Sequence, residues 1–450
     1  MTRCRIAIIG GGWAGLAAAV ELSPADGNCP AGGDLAITLF DAGRQPGGRA
    51  RALPRTEGSG ATLDHGQHLL LGAYRETLAL MERVGVRPEA VLHRLPLEIR
   101  DPDGFRLTLP SSLPPPFHLA WGLLTARGVG FREKLRAALW MRHLQKHGFR
   151  LAEDVPVSRW LHAGQQRGRL SQRLWAPLCL AALNTPPELA SAQVFANVLR
   201  DSLGSPLPGA TDLLLPRVSL SEVFPDPAVR WLRARGVTIR TGCRVRALKR
   251  RADGGWRLIP ANGNAEVFDA IILAVAPQHL AALLPPECAP PALDFEPIAT
   301  LYLFYPGATA LPCPLMTLTG GIGQWLVDRG NGVLAAIFSG HGDWENWTPK
   351  TLTETLHREI AAILPDSPPP ATHRFLKEQR ATFSCRPNLI RMAQHTPWPD
   401  LWIAGDHTAS DYPATLEGAI RSGQNAARLC LGRRQGSAAR DRIPYGYKPR

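Results

Sequence analysis

The stretch Arg5-Ile-Ala-Ile-Ile-Gly-Gly-Gly-Trp-Ala-Gly15 decides the fold of the chain. Its β-branched start predicts a short buried strand of the parallel type, and the following Leu16-Ala-Ala-Ala-Val-Glu-Leu22 predicts a helix. The glycines between them follow the pattern Gly-x-Gly-x-x-Gly, in the strand–turn–helix context that a dinucleotide-binding loop requires. The sequence therefore predicts an α/β fold that begins with a Rossmann-type nucleotide-binding unit.

Each position of this loop has a physical task. Gly10 permits the tight turn, Gly12 lets a pyrophosphate approach the backbone, and Gly15 lets the helix pack closely against the strand. The amides of Trp13 and Ala14 lie at the helix N-terminus, where unpaired N–H groups and the helix dipole attract phosphate. These five residues are the first predicted cofactor contacts.

A second strand and a basic loop strengthen this prediction. Leu35-Ala-Ile-Thr-Leu-Phe40 is the strand, and Asp41, followed by Ala42, stands at its end, where a carboxylate accepts hydrogen bonds from ribose hydroxyls. Next comes Gln45-Pro-Gly-Gly-Arg-Ala-Arg51, in which Gly48 offers backbone amides and Arg49 a guanidinium to the same pyrophosphate. This combination separates FAD flavoproteins from NAD dehydrogenases, so the predicted cofactor is FAD.

Further segments along the chain complete the predicted sheets. Val237–Arg240 and Arg244–Leu248 are predicted strands joined at Thr241-Gly242, and Trp256–Ile259 is the predicted hairpin partner of the second. Ala270–Ala276 and Leu401–Ala404 are predicted buried strands. Tyr412-Pro-Ala-Thr415 predicts the start of a helix with Pro413 in its first turn, and Gly423 is predicted to permit close packing of that helix.

Three stretches resemble one family. They are Arg173-Leu-Trp-Ala-Pro-Leu-Cys-Leu-Ala-Ala-Leu-Asn-Thr-Pro-Pro187, Asp64-His-Gly-Gln-His-Leu-Leu-Leu-Gly-Ala-Tyr74 and Pro413-Ala-Thr-Leu-Glu-Gly-Ala-Ile-Arg-Ser-Gly423. Together they resemble the squalene-associated FAD-dependent desaturase family, also called the hydroxysqualene dehydroxylase family, within the amine oxidase and phytoene desaturase superfamily. The resemblance covers nearly the whole chain, although His407 stands where the family often has tryptophan.

The resemblance implies further contacts with FAD. It implies that Gly66 lets the backbone approach the flavin ring, that Gln67 or His68 faces the ring, and that the backbone at Val245 touches the adenine. It also implies that Asp406, after Gly405, binds ribityl or phosphate oxygens. The helix that begins near Ala414 and Thr415 would point at the pyrimidine edge of the flavin, where its dipole stabilises negative charge.

The implied reaction is a reductive dehydroxylation. Hydroxysqualene, an apolar isoprenoid alcohol, would lose water and take a hydride from reduced FAD, which gives squalene. A general acid must protonate the leaving oxygen, and the candidates are His68, Asp64, His407 and Tyr412. Within the same superfamily, the alternative functions for this chain are those of a carotenoid-type desaturase and of an amine oxidase.

Composition and charge limit the possible ligand classes and the cellular setting of the protein. The net charge of +13 could attract nucleic acid, acidic ligands or anionic lipid, but no zinc-finger spacing or RNP-type motif supports nucleic acid. No metal is expected, because the 13 histidines form no H-E-x-x-H motif. Eight scattered cysteines without C-x-x-C predict a reduced, cytoplasmic setting, and no apolar run reaches the length of a transmembrane helix.

A basic segment suggests where the protein works. Arg127–Arg150 has seven basic residues against one acid, Glu133, and lies beside the apolar Phe117–Leu124. It predicts either peripheral attachment to the anionic inner face of the cytoplasmic membrane or a solvated helix that covers the core. Upstream isoprenoid-condensing enzymes are further expected partners in squalene and hopanoid biosynthesis.

The length of 450 residues predicts two interleaved domains. We expect residues 1–100, 220–290 and 395–435 to form the FAD-binding domain. Residues 101–219 and 291–394 would form an α+β substrate-binding domain, and 436–450 a C-terminal tail.

Overall fold

A five-stranded parallel sheet collects strands from distant parts of the chain. The computed structural model describes residues 3–23, 35–54, 62–285, 288–307, 309–318 and 320–434, so the predicted C-terminal tail lies outside the described residues. The strands are β1 (Cys4–Ile9), β2 (Leu35–Phe40), β8 (Thr238–Arg240), β12 (Ala270–Leu273) and β18 (Leu401–Ile403). Their order in the sheet is β18-β12-β1-β2-β8. The predicted parallel α/β sheet is confirmed.

Two helices pack on this sheet at glycines. Helix α1 (Trp13–Leu22) follows the glycine loop, and α13 (Leu416–Arg434) lies against it. A Cβ atom on Gly423 would lie 2.1 Å from the carbonyl oxygen of Ala14, so only glycine allows this approach. The predicted close packing at Gly423 is therefore confirmed.

One of two local predictions needs correction. The strands on either side of Thr241-Gly242 form as predicted: β8 joins the parallel sheet, and β9 (Val245–Arg250) pairs with β10 (Trp256–Pro260) in a separate antiparallel sheet, which confirms the predicted hairpin. The last helix begins at Leu416 rather than near Pro413. Its first turn is capped by the Thr415 hydroxyl, which accepts a hydrogen bond from the Gly418 amide at 3.0 Å.

A second large sheet is antiparallel. Its strands are β13 (Phe295–Phe304), β14 (Leu315–Thr317), β15 (Trp325–Asp328), β16 (Val333–Ser339) and β17 (Thr372–Phe383). Their order in the sheet is β14-β15-β16-β13-β17. The smaller sheets use β3 (Leu70–Leu71), β4 (Leu92–Leu95), β5 (Glu98–Arg100), β6 (Arg106–Thr108), β7 (Leu213–Pro216), β9, β10 and β11 (Glu266–Phe268).

The remaining helices lie mostly between residues 75 and 233. They are α2 (Arg75–Arg83), α3 (Pro88–Val91), α4 (Phe117–Thr125), α5 (Phe131–Lys146), α6 (Val157–Ala163), α7 (Ala176–Leu183), α8 (Ala192–Asp201), α9 (Leu220–Val223), α10 (Pro225–Arg233), α11 (Pro277–Leu280) and α12 (Pro349–Ile363). None of the described helices has the length and apolar composition needed to cross a bilayer.

The family-like Leu-Asn-Thr-Pro-Pro stretch fixes α7 to the large antiparallel sheet. Asn184 ends α7 in the left-handed conformation, with φ of 50°. Its buried amide donates to the Pro297 carbonyl at 3.2 Å and to the Thr382 hydroxyl at 2.9 Å, and its oxygen accepts from the Gly340 amide at 2.8 Å. An asparagine here therefore links a helix end to three strands or strand ends beside the cavity described next.

Candidate active site

One cavity of about 950 Å³ joins the glycine loop to the antiparallel sheet. At one end it is lined by Gly10, Gly12, Asp41, Gly48 and the other nucleotide-loop residues. The opposite wall is apolar and comes from α7, α8 and the large antiparallel sheet. It includes Leu178, Phe195, Val198, Leu199, Leu315, Trp325, Ile337 and Leu376. A polar-headed cofactor and an apolar substrate would share a single enclosure.

The glycine loop fits a pyrophosphate. A Cβ atom on Gly10 would lie 2.2 Å from the Ala274 carbonyl oxygen, and one on Gly15 would lie 1.9 Å from the Gly10 carbonyl oxygen, so both contacts require glycine. A Cβ atom on Gly12 would instead point into open space, with its nearest described neighbour, Gly48, 3.9 Å away. No described side chain caps the start of α1, where Trp13 and Ala14 line the cavity. Open space beside uncapped amides suits a bound phosphate.

Asp41 stands at the end of β2, as the sequence predicts, and its carboxylate already accepts hydrogen bonds from the protein backbone. Its two oxygens accept hydrogen bonds from the Gly11 amide at 2.7 Å and the Gly43 amide at 2.6 Å. Burial raises the pKa of Asp41, against the lowering effect of these amides and of Arg51. Asp41 lines the cavity together with Ala42 and Val245, which the sequence predicts near the adenosine half of FAD.

Arg49 and Asp406 form an ion pair with each other. The Arg49 Nη2 atom lies 2.7 Å from both carboxylate oxygens of Asp406, and Nη1 donates to the Ala381 carbonyl. Burial alone would raise the pKa of Asp406, but the charge of Arg49 and the contact with His407 outweigh it and hold the pKa well below its usual range. The predicted contacts of these two groups with FAD would therefore be made by a preformed pair rather than by separate charges.

His407 folds back over the glycine that precedes it. A Cβ atom on Gly405 would lie 2.3 Å from the His407 ring, and the φ angle of Gly405 is 151°. Both features explain why this position is glycine. The ring Nδ1 lies 3.8 Å from an Asp406 oxygen, and no partner among the described residues reaches the buried Nε2. His407 thus offers one unpaired ring nitrogen at the cavity wall.

The Gly66–His68 segment also lines the cavity. His68 Nδ1 lies 3.0 Å from the Gly66 carbonyl, and because a carbonyl can only accept, Nδ1 carries the proton. Burial lowers the pKa of His68, although the Gly66 bond acts in the opposite direction. A neutral imidazole in this tautomer accepts at Nε2 and is poorly suited to protonate a leaving group. Gln67 is held by Arg329, whose Nη1 donates to Gln67 Oε1 at 2.6 Å.

The other two acid candidates differ in position. Tyr412 lines the cavity, and its hydroxyl donates to Asp201 at 2.8 Å. Asp64 does not belong to the cavity wall. It is buried, accepts from the Leu220 amide at 2.8 Å and lies 3.8 Å from Arg329. Burial raises the pKa of Asp64 to about 6.

The N-terminus of α13 faces the cavity through Ala414 and Thr415. Directly behind it, Glu417 is fully buried. Its carboxylate accepts from the amides of Glu76 and Thr77 at 3.1 and 2.9 Å, and from the Thr77 hydroxyl at 2.7 Å. This carboxylate fixes the start of α2 against α13 and so positions the helix end that faces the cavity.

Sequence reasoning missed Asp201, Arg329 and Glu417. Each acts through a partner more than two hundred residues away: Tyr412, Gln67 and Thr77 respectively. No local sequence pattern marks such pairs. Positions that vary together in an alignment of relatives would be needed to find them.

Comparison with known proteins identifies the family of the chain. The model of the flavin containing amine oxidoreductase family matches residues 13–431. Hydroxysqualene dehydroxylase of Rhodopseudomonas palustris is 31% identical over 94% of this chain and 97% of its own, and that of Sinorhizobium fredii is 30% identical over 94% and 97%. The solved structure of cyclohexylamine oxidase from Brevibacterium oxydans shares the fold, with a TM-score of 0.68 at 15% identity over 96% of this chain and 99% of that one. The chain belongs to the flavin containing amine oxidoreductase family and, within it, to the hydroxysqualene dehydroxylase family.

Proposed function

We propose that this chain reductively dehydroxylates hydroxysqualene to squalene, with FAD as its cofactor. The observation that carries the proposal is the cavity in which the pyrophosphate-type glycine loop and a long apolar wall meet. The curated relatives named hydroxysqualene dehydroxylase supply the choice of substrate.

The reaction exchanges a hydroxyl for a hydrogen. The C–O bond of the allylic alcohol breaks, its oxygen gains a proton and leaves as water, and a hydride forms the new C–H bond at the same carbon. Reduced FAD, when bound, would supply the hydride, and an external two-electron donor would be needed to restore its reduced form. The apolar wall, which includes Phe195 and Trp325, excludes water that would otherwise capture the electron-poor allylic carbon.

We assign the proton donation to Tyr412, which lines the cavity and carries an O–H group. Burial, followed by the hydrogen bond to Asp201, raises the pKa of Tyr412, so the phenol keeps its proton at neutral pH. A departing hydroxide is a stronger base than the Tyr412 phenolate, so it can take that proton. His68, as a neutral acceptor at Nε2, is suited to orient the substrate hydroxyl instead.

Product analysis with three substrate classes tests the proposed function. Holoenzyme is incubated with hydroxysqualene, phytoene and an aliphatic amine, each with a reductant and each with an oxidant. We expect squalene from hydroxysqualene in the reducing reaction only. Desaturated phytoene would indicate a carotenoid-type desaturase, and an aldehyde from the amine would indicate an amine oxidase. Either product without squalene overturns the proposal.

The setting of the enzyme follows from its substrate. We place it in the cytoplasm, peripheral on the inner face of the cytoplasmic membrane, where it would serve squalene and hopanoid biosynthesis. The net charge of +13 favours an anionic lipid surface as its partner, together with upstream isoprenoid-condensing enzymes that deliver an insoluble substrate. Nucleic acid has no part in this proposal.

A further inference from the structure

Helices α4 and α5 expose an apolar patch. Large hydrophobic side chains with at least 36% of their surface exposed are uncommon among the described residues, yet most of them lie on these two helices. The patch consists of Phe117 (64%), Trp121 (52%) and Leu124 (60%) on α4, and Phe131 (69%), Leu135 (49%) and Leu139 (58%) on α5. An exposed apolar cluster of this kind marks a surface that is covered in use.

The six residues form continuous lines rather than scattered points. Phe131, Leu135 and Leu139 are four residues apart, which places them along one side of α5. The opposite side of α5 packs into the core through Trp140, Leu144 and their buried neighbours. Helix α5 therefore has two apolar sides: one packs in the core of the protein, and the other is exposed and available to a partner.

Positive charge surrounds the patch. Glu133 is the only acidic residue between 110 and 150, and its carboxylate accepts from the Leu170 amide at 2.8 Å. Arg132, Arg136 and Arg142 on α5 are exposed. Apolar side chains bordered by arginines match a bilayer that carries anionic headgroups, because the rings and leucines enter the acyl region while the guanidinium groups meet phosphates.

The patch lies over the substrate-binding half of the enzyme. Leu119 and Leu123, on the buried side of α4, belong to the same hydrophobic cluster as the cavity-wall residues Leu97, Leu213 and Leu315. One hydrophobic cluster therefore links the buried side of α4 to the cavity wall. An apolar substrate that leaves a bilayer at α4 would meet this cluster beside the cavity, an argument that rests on the proposed function.

We infer that α4 and α5 form a docking surface for an anionic lipid bilayer, with Phe117, Trp121, Leu124, Phe131, Leu135 and Leu139 inserted and the flanking arginines on the headgroups. The occupant is lipid rather than a second copy of the chain, because a self-complementary contact would place the arginine-flanked patch against an equally basic one.

Vesicle sedimentation with the FAD-loaded protein tests this surface. Vesicles of phosphatidylcholine are compared with vesicles that also contain phosphatidylglycerol. We expect binding to the mixed vesicles that weakens with salt. Leu124→Ser with Phe131→Ser should weaken binding about tenfold or more, since each exposed side chain loses its burial in the bilayer. Arg132→Gln, Arg136→Gln and Arg142→Gln together should weaken binding on the order of 100-fold on mixed vesicles only.

Matched control variants lie outside the two helices. Ile390→Ser with Leu429→Ser removes apolar side chains that are 64% and 36% exposed, and Arg246→Gln with Lys249→Gln and Arg257→Gln removes the same charge. Both should bind mixed vesicles like the unaltered protein. Equal losses in controls and patch variants, equal binding to both vesicle types, or no binding overturn the inference. A dimer that only Leu124→Ser with Phe131→Ser dissociates also overturns it, by assigning the patch to a second copy. Dehydroxylation of detergent-dispersed substrate is followed in parallel, so a failed docking surface is distinguishable from a failed function.

Discussion

Breaking the Arg49–Asp406 pair should destabilise the enzyme in a way that a second substitution partly repairs. The two side chains are 357 residues apart, and Asp406 is 11% exposed whereas Arg49 is 37% exposed. Removing one partner of a fully buried pair costs about 3–5 kcal/mol, because the other charge stays buried alone. Since solvent reaches Arg49, we expect about 2 kcal/mol for Arg49→Ala. Adding Asp406→Asn should recover about 1 kcal/mol of that loss.

Urea unfolding of the four members of this cycle, without FAD, measures the coupling. The exposed Arg44→Ala in the same loop is the control and should stay within about 0.5 kcal/mol of the unaltered protein. Because the pKa of Asp406 is lowered in the folded state, the contribution of the pair is complete above about pH 4 and is lost only as the pH falls toward the lowered pKa. Additive effects of the two substitutions at pH 7 would refute the reasoning.

Three further predictions concern FAD, pH and catalysis. Gly12→Val should abolish FAD binding, because its side chain would fill the open space beside the α1 amides; wild-type flavin content, measured after acid release, would contradict this. Asp64→Asn should change the pH dependence of stability. Because the folded pKa of Asp64 is about 6, this carboxylate takes up a proton between pH 7 and pH 5 only when the protein is folded. The free energy of unfolding of the unaltered protein, measured with urea, should therefore rise by about 1.4 kcal/mol over this interval relative to the variant. Parallel curves would disprove it. Tyr412→Phe should lower kcat about 100-fold or more with FAD content unchanged, whereas an undiminished kcat would move the proton donor to His407.

Local chemistry explains which features the sequence could predict. The roles of Gly10, Gly15 and Gly423 follow from backbone geometry, since each marks a place where a Cβ atom would strike a carbonyl. Likewise β1 and β2 are buried on both faces, so continuous apolar runs reveal them.

Contacts between residues that are distant in the sequence explain what the sequence could not predict. The apolar positions Leu135 and Trp140 lie in the same helix, but only the fold decides that Trp140 packs inward while Leu135 stays exposed. The sequence predicts Arg49 at a pyrophosphate, whereas in the structure the Asp406 carboxylate, from the far end of the chain, pairs with it. The sequence also predicts the start of α13 near Pro413, but proline at a helix start is a weaker signal than the Thr415 cap.

Anaerobic single turnover tests most directly whether this site performs reductive dehydroxylation. Holoenzyme with its FAD reduced is mixed with hydroxysqualene, the return of oxidised-flavin absorbance is followed, and the products are separated. We expect one squalene for each flavin oxidised, and none from holoenzyme that was never reduced. Hydroxysqualene recovered unchanged with flavin still reduced, or flavin reoxidised without squalene, would contradict the proposed function.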